Sequence, residues 1–566
     1  MAETGHYAIL AQLIADGVTH IFGNPGTVEQ GFLDAMGDRP ALHYVLTLQE
    51  SVAIYAADAY ARATNGLAVA QIHSSPGLGN AIGALYQAHR GHSPLLVLGG
   101  DAGIRYQAMD AQMAADLVGM ARPVTKWATM VQHPTSLLRV LRRAIKVATT
   151  PPCGPVYVCV PEDVLDAPAG EPVVPTSRPS TRVLPDPALV DDAARLLAAA
   201  QRPTIYIGDG VYQSGATAAL VAVAEALGAD VWGVDCGEIN MPYPHPLWRG
   251  QTGHMFGSHS LPITTSGDVN LVVGTYMVPE VFPELGGIFA PGAKTIHVDL
   301  DAGQIAKNHP ADLGVVADPK LSLDALLARL DAHLSADRRR DAAAHIAQRG
   351  GEKEQAQADL QATVKPAVSG ALTFAQVMAV LAPRLPDDAL IFDEALTNSP
   401  ALTGFIQPSQ PGRFFQTRGG SLGTGLAGGL GLQAAAPERT VLAVSGDGGA
   451  MYVIQALWSA VRHNLPVKYI VCNNRSYRLL QANLHQFWSE RGITARPYPL
   501  SFDLSNPPLN FAAMAQAYGL AASRVETADQ IGPAIDAALG HAGPYLIDVV
   551  LDGDVHPDLV GVRCGQ

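Results

Sequence analysis

Two short stretches near the C-terminal end of the chain carry residues placed for chemistry. In VLAVSGDGGAMYV (441–453), an apolar run stops at Ser445 and gives way to Gly446-Asp447-Gly448-Gly449. In VKYIVCNN, a second apolar run stops at Asn473 and Asn474, the latter 27 residues beyond Asp447. That interval fits one helix, expected over about 451–463, and a return strand. Asp447 and Asn474 are therefore expected on adjacent strand ends of a parallel sheet, where ligands bind. A carboxylate and an amide oxygen form a hard-oxygen pair suited to Mg²⁺, which fills its octahedron with phosphate oxygens and water. Flanking glycines let backbone N–H groups approach a diphosphate. Singly, GDG reads equally well as a turn and the asparagines as a helix cap; together, each behind a strand, they read as a metal–diphosphate site. Two residues of the first part also stand at strand ends. Glu50, between HYVLTL and the helical SVAIYAADAYARA, reads by itself as an acidic helix start. His73, opening HSSPGLGN, reads as a general acid/base or as a structural histidine bonded to loop backbone.

Three blocks of alternating strands and helices must position these residues. Residues 1–175 contain HIFGNPG, HYVLTL, LAVAQIHSS, PLLVLGGD and GPVYVCVP; residues 188–345 contain PTIYIGDG, DVWGVD, VNLVVG and AKTIHVDLD; residues 365–555 contain ALIFDEA, TVLAVSGDG, VKYIVCNN and YLIDVVLDG. Such alternation predicts an α/β protein of three doubly wound parallel sheets. The proline-rich segment 167–187 reads as a linker, and the charged segment 336–361 as a helix between the second and third blocks. The N-terminal MAETGHYAILAQLIADG reads as an amphipathic helix without signal-peptide features.

Composition excludes several classes. With 48% apolar and 16% charged residues the chain is a large globular protein, and at 566 residues it exceeds a single core. A net charge of −14, with no basic run beyond Arg338-Arg339-Arg340 on an expected solvated helix face, argues against a nucleic-acid partner. No apolar run reaches membrane-spanning length, so no membrane association is expected. Cys153, Cys159, Cys236, Cys472 and Cys564 form no CxxC pair and suit reduced thiols in a cytoplasmic protein.

The chain resembles the thiamine diphosphate-dependent 2-oxo acid decarboxylase and acetohydroxyacid synthase superfamily, within it most of all the benzoylformate decarboxylases. The likeness covers nearly the whole chain and is most specific in GNPGTVEQGFL (23–33), TLQE (47–50), IHSSPGLGNAIGALYQAHRGHSPLLVLGG (72–100), RPVTKW (122–127), RGGSLGTGLAGGLG (418–431) and SGDGGAMYVIQALWSAVRHNLPVKYIVCNNRSY (445–477). It implies a pyrimidine-binding domain (1–175), a middle domain (188–345) and a diphosphate-binding domain (365–555). Asp447, Asn474 and the Ser476 carbonyl would hold Mg²⁺; Gly446, Gly448, Gly449 and Tyr477 would contact the cofactor, with Thr397 and Asn398 at its phosphates. Glu50 would be the activating acid: buried, protonated and hydrogen-bonded to N1′, it favours the 4′-imino form that takes the C2 proton. Leu422 would wedge under the bent cofactor, and the Gly420 carbonyl would receive its 4′-amino group. His73 would handle protons near the substrate carbonyl, and Thr27, where the family has serine, would bind the substrate carboxylate. GTGLAG (423–428) fits GxGxxG but follows no proper strand, and reads as close helix packing.

The pattern breaks in the substrate half. Benzoylformate decarboxylases bring a second histidine from the middle domain, and GTYMVPEVFPELGG (274–287) has none. His254, His259, His485 and Glu490 are the substitutes to weigh, with Leu480 near the cofactor and Arg475 or Arg478 able to meet an anionic substrate. The expected activity is decarboxylation of a 2-oxo acid with acyloin carboligation to an aldehyde. The alternatives are a lyase or ligase, such as a 2-hydroxyacyl-CoA lyase or an acetolactate-type synthase, and a non-catalytic scaffold. No FAD is predicted, because the middle block shows no clear nucleotide fingerprint. The acid and the metal pair lie on different blocks that meet across subunits in this family, so a homo-oligomer is implied, a dimer at least and a tetramer by likeness.

Overall fold

Continuous apolar runs such as Val156–Pro161 and Val441–Gly446 bury nearly every residue, as strands covered on both faces require. In the computed structural model, which describes residues 3–253, 255–367 and 369–555, these runs build three six-stranded sheets with all ladder pairings parallel. The first comprises β1 (His20–Gly23), β2 (His43–Leu46), β3 (Ala68–His73), β4 (Leu95–Asp101), β5 (Trp127–Met130) and β6 (Val156–Pro161), ordered β2-β1-β3-β4-β6-β5. The second comprises β7 (Pro203–Ile207), β8 (Asp230–Gly233), β9 (Trp248–Gln251), β10 (Val269–Val273), β11 (Lys294–Asp299) and β12 (Leu313–Val316), ordered β12-β11-β10-β7-β8-β9. The third comprises β13 (Leu390–Glu394), β14 (Phe414–Gln416), β15 (Val441–Gly446), β16 (Lys468–Asn473), β17 (Ala521–Val525) and β18 (Tyr545–Val550), ordered β14-β13-β15-β16-β18-β17. The expected α/β architecture of three parallel sheets with flanking helices is present.

The strand order reverses between β1 and β3, between β7 and β10, and between β13 and β15. Connections leave such a pair in opposite directions, so a crevice opens at the carboxyl ends of its strands.

Sequence reading omitted β5, β9, β12, β14 and β17, and every one is a sheet edge. Most of these are covered less fully and need no continuous apolar run: β5 is half-buried throughout, and β12 alternates exposed and covered residues, while β14 is buried but only three residues long. The helix expected over 451–463 is a second correction. It begins at Asp447 and is broken in two, Asp447–Tyr452 and Ala456–Arg462. The N-terminal helix Gly5–Ala15 is less one-sided than expected, with Ile9, Leu10, Gln12 and Leu13 all fully covered. Gln12 and Asp16 also staple the 167–187 segment, through Gln12 Nε2 to the Val174 carbonyl (2.6 Å) and Thr176 N–H to Asp16 (2.7 Å). The charged helix forms over Ala336–Ala362, with Arg339 and Arg340 exposed as expected and Arg338 largely covered.

Helix Thr424–Ala435 lies between the first and third sheets, packed on helix Glu50–Thr64. A Cβ at Gly431 would stand 1.9 Å from the Ala56 carbonyl oxygen, so only glycine permits this approach. Within GTGLAG, a Cβ at Gly425 would stand 2.8 Å from the Val444 carbonyl oxygen and one at Gly428 2.6 Å from the Phe392 ring, so these glycines seat the helix closely on β15 and β13, in line with the close packing read from the sequence.

Candidate functional site

The crevice of the third sheet gathers four strand-end loops. β15 and β16 are neighbours, with Gly446 opposite Cys472, so Asp447 and Asn474 leave adjacent strand ends. Asp447 is 3% exposed. Its carboxylate accepts the N–H of Gly448 (2.8 Å) and of Arg475 (2.6 Å). Burial pushes its pKa up to about 6 against these bonds. Asn474 is buried, and its Oδ1 accepts the Ser476 N–H at 3.1 Å. Ser476 Oγ is buried without a hydrogen-bond partner. Tyr477 lays its ring on Gly448, where a Cβ would come within 2.4 Å of Cε1. Thr397 and Asn398, in the short turn Leu396–Asn398 after β13, are buried at the same edge.

The loop after β14 completes this crevice. Gly419, Gly420 and Gly423 all adopt positive φ. Space above Gly420 is open, and Gly446 likewise has no neighbour where a side chain would stand. Leu422 is half-buried, and its carbonyl accepts the Tyr55 hydroxyl at 3.3 Å.

The donor set suits a small divalent cation. A buried carboxylate held only by backbone N–H groups keeps free lone pairs and an unbalanced charge, and an amide oxygen stands beside it. Among the described residues, no cluster of three or more His, Cys, Asp or Glu could hold a metal; one carboxylate, one amide and one backbone carbonyl make a different kind of site.

The crevice of the first sheet holds the other candidates. Glu50 begins its helix 6% exposed. One carboxylate oxygen accepts Asn24 Nδ2 and the other Asn80 Nδ2, each at 2.9 Å. Two carboxamides therefore grip the Glu50 carboxylate, an arrangement only tertiary proximity creates. His73 closes β3, with Nδ1 2.9 Å from a Glu29 carboxylate oxygen that also accepts the Gly26 N–H at 2.8 Å. Glu29 is 4% exposed, and burial raises its pKa while His73 opposes the rise. Sequence reading missed Glu29, although it lies two residues beyond Thr27 in a motif already singled out. Nothing local distinguishes it from a surface glutamate. Thr27 is exposed in the same loop.

The substitutes for a second histidine are dispersed. His254 lies outside the described residues. His259 is exposed beside Phe256. His485 is packed against Trp488 and Tyr498 and hydrogen-bonded to the Tyr498 hydroxyl. Glu490 is exposed and bonded to Gln486. Arg478 is buried, and its Nη1 donates to the Asp552 carbonyl at 3.3 Å. It faces the C-terminal segment, which corrects the expectation that it meets an anionic substrate.

Comparison with known proteins agrees with this geometry. Residues 3–120, 190–326 and 397–549 match, respectively, the N-terminal TPP binding, central and C-terminal TPP binding domains of thiamine pyrophosphate enzymes. The chain is 30% identical to benzoylformate decarboxylase of Pseudomonas aeruginosa over 97% of its own length and 98% of that protein's. It is 29% identical to a probable acetolactate synthase large subunit of Methanocaldococcus jannaschii, covering 97% and 92%. Among solved structures it resembles a thiamine diphosphate-dependent 4-hydroxybenzoylformate decarboxylase of Rhodococcus jostii, with TM-score 0.84, 29% identity, and 98% and 100% of the two chains covered.

Proposed function

This chain belongs to the thiamine pyrophosphate enzyme family, and from that premise we propose that it is a Mg²⁺-dependent, non-oxidative decarboxylase of a 2-oxo acid with acyloin carboligase activity. The observation that carries the reading is the pair formed by buried Glu29 and half-buried His73 at the carboxyl edge of the first sheet. It supplies an oriented histidine for proton transfer where a substrate carbonyl would lie.

When bound, thiamine diphosphate supplies the nucleophilic carbon and the electron sink that decarboxylation needs. The rest falls to the chain. Asp447, Asn474 and the Ser476 carbonyl would hold Mg²⁺, and the backbones of Gly446, Gly448 and Gly449, with Thr397, Asn398 and Tyr477, would seat the diphosphate. Leu422 would support the ring junction, and the Gly420 carbonyl would accept the amino group. Glu50 would hold a proton at the pyrimidine nitrogen, with Asn24 and Asn80 fixing its orientation. His73 would exchange a proton at the substrate oxygen, its ring set by Glu29, and the Thr27 hydroxyl would bind the substrate carboxylate.

The metal residues and Glu50 leave different sheets, and we place their meeting across a subunit interface. The working unit is then a homodimer or a tetramer built from two. We place the enzyme in the cytoplasm: Cys153, Cys159, Cys236 and Cys472 are free, and Cys564 lies outside the described residues. Among the described residues, no helix is long and apolar enough to cross a membrane.

The test is product analysis by NMR. Protein loaded with thiamine diphosphate and Mg²⁺ is given benzoylformate, pyruvate and branched 2-oxo acids, each with and without an acceptor aldehyde. Aldehyde release, and acyloin when an acceptor is present, is the expected outcome. Cofactor uptake without turnover of any simple 2-oxo acid would shift the assignment to an acyl-CoA lyase. Acetolactate as the sole product from pyruvate would shift it to a synthase.

A further inference from the structure

Glu394 is fully buried, ends β13, and among the described residues faces no cation within ion-pair distance. Its carboxylate is saturated with donors. Oε1 accepts the N–H of Gly423 (2.5 Å) and Thr424 (3.2 Å), and Oε2 accepts the Gly425 N–H (2.8 Å) and the Ser445 hydroxyl (2.9 Å). Each oxygen takes two bonds, all from fixed neighbours. Such an arrangement stores much hydrogen-bond energy in a dry environment, and its cost when broken is correspondingly high.

The donors come from two functional segments. Gly423 directly follows Leu422, and Ser445 lies two residues before Asp447. One carboxyl group therefore ties the loop that carries Gly420 and Leu422 to the strand end that carries Asp447. Nothing else needs so close a tie here. Helix Thr424–Ala435 already lies on the Glu50 helix and on β13 and β15, so its body is seated without Glu394.

We propose that Glu394 is a positioning residue that sets the distance between the two halves of the cofactor site: the wedge under the ring junction and the metal-binding end at the diphosphate. The assignment rests on the functional reading above. A helix cap alone would support stability. A spacer between the two halves would in addition control how readily the bound cofactor loses its C2 proton, because that requires the bent conformation imposed from the Leu422 side while the diphosphate is held from the Asp447 side.

The test compares wild type, Glu394→Gln, Ser445→Ala and a packing control, Leu430→Ala, whose side chain is fully buried in the same helix. In Glu394→Gln an amide NH₂ must oppose backbone N–H donors. Ser445→Ala removes one of the four bonds. Each protein is titrated with thiamine diphosphate and Mg²⁺ by tryptophan fluorescence, and hydrogen–deuterium exchange at C2 is timed at saturating cofactor by acid quench and NMR. Glu394→Gln is expected to weaken cofactor binding and to slow C2 exchange at saturation, each by about 10–100-fold. Ser445→Ala should move both in the same direction by less, and Leu430→Ala should lower the melting temperature and leave exchange at the wild-type rate. Exchange within twofold of wild type in folded Glu394→Gln overturns the assignment; if that variant does not fold, a wild-type rate in Ser445→Ala overturns it. A wild-type protein that takes up no thiamine diphosphate sinks the functional reading and this assignment with it, whereas exchange that is normal in wild type and unchanged in the variants sinks this assignment alone.

Discussion

The tripeptide Gly-Asp-Gly occurs twice at a strand's carboxyl end beside a reversal of strand order: Gly208-Asp209-Gly210 after β7 and Gly446-Asp447-Gly448 after β15. Both aspartates are buried, at 5% and 3% exposure. Their partners differ. Asp209 is ion-paired with Arg418 and accepts the Gly237 N–H (2.9 Å), the Glu238 N–H (3.2 Å) and Asn240 Nδ2 (2.8 Å). Asp447 has backbone donors and no arginine. The protein supplies its own cation in the middle crevice; in the third crevice the proposed Mg²⁺ would supply it. A local motif at a favourable place in the fold is therefore not yet a metal site; what the neighbouring elements deliver to it decides. Arg418 is delivered from the loop after β14, so the middle crevice is locked by a residue of the segment that carries Gly420 and Leu422.

This contrast breaks most sharply at Asp447. Asp447→Ala should lose cofactor retention and turnover together, with activity down by more than about a thousandfold, because it removes the one carboxylate among the proposed metal ligands. Fluorescence titration with thiamine diphosphate and Mg²⁺ beside a decarboxylation assay checks this; retained Mg²⁺ dependence in the variant would show the metal lies elsewhere. At the substrate edge, His73→Ala should lower kcat by about 10²–10⁴ with cofactor affinity kept. Glu29→Gln should follow it in direction, with a smaller loss and a shifted pH–rate profile. Equal profiles for Glu29→Gln and wild type would remove Glu29 from the mechanism.

The middle crevice should respond in stability and not in metal binding. Asp209→Ala takes one of two carboxylates from buried Arg418, whose Nη2 also lies 3.6 Å from Asp235, and should cost about 1.5–3 kcal/mol, measured by denaturant unfolding, with Mg²⁺ affinity of the folded protein near the wild-type value. A metal-affinity loss comparable to that of Asp447→Ala would erase the distinction between the two crevices.

Acid sharpens the comparison least. His92 lines the middle crevice, and burial and then Arg418 lower its pKa to about 4. His20, at the start of β1, is lowered to about 4 by burial and then His43. Both are neutral in the fold and gain protons on unfolding, so their stabilisation is complete above the unfolded pKa near 6.5 and is lost as pH falls from there towards 4. The slope should be roughly 1–2 kcal/mol per pH unit, allowing for solvent screening at half-exposed His20. Replacing His92 with Gln should flatten it in a pH series of urea melts; an unchanged slope would discount His92.

Residue types and their order along the chain determined much of this protein. Largely apolar runs named the central strands, because a strand covered on both faces turns neither row of side chains to solvent. Glycine and Asx residues at strand ends marked Asp447 and Asn474, because chemistry in parallel sheets sits where strands stop, while Glu50 and His73 stood out through the family resemblance. Only the tertiary structure decided the rest. Edge strands such as β5 and β17 escaped notice because half their surface faces solvent and imposes no pattern. Glu29, Asn24 and Asn80 look ordinary until folding places a charge or an amide against His73 and Glu50. Arg478 looked like a substrate ligand by its position next to Tyr477, yet the helix it begins turns it into the protein against Asp552. Asp209 and Asp447 stand in identical tripeptides, and Arg418, 209 residues after one and 29 before the other, chose between them. Such pairings depend on distances in space between residues far apart in the chain, and no local pattern encodes them.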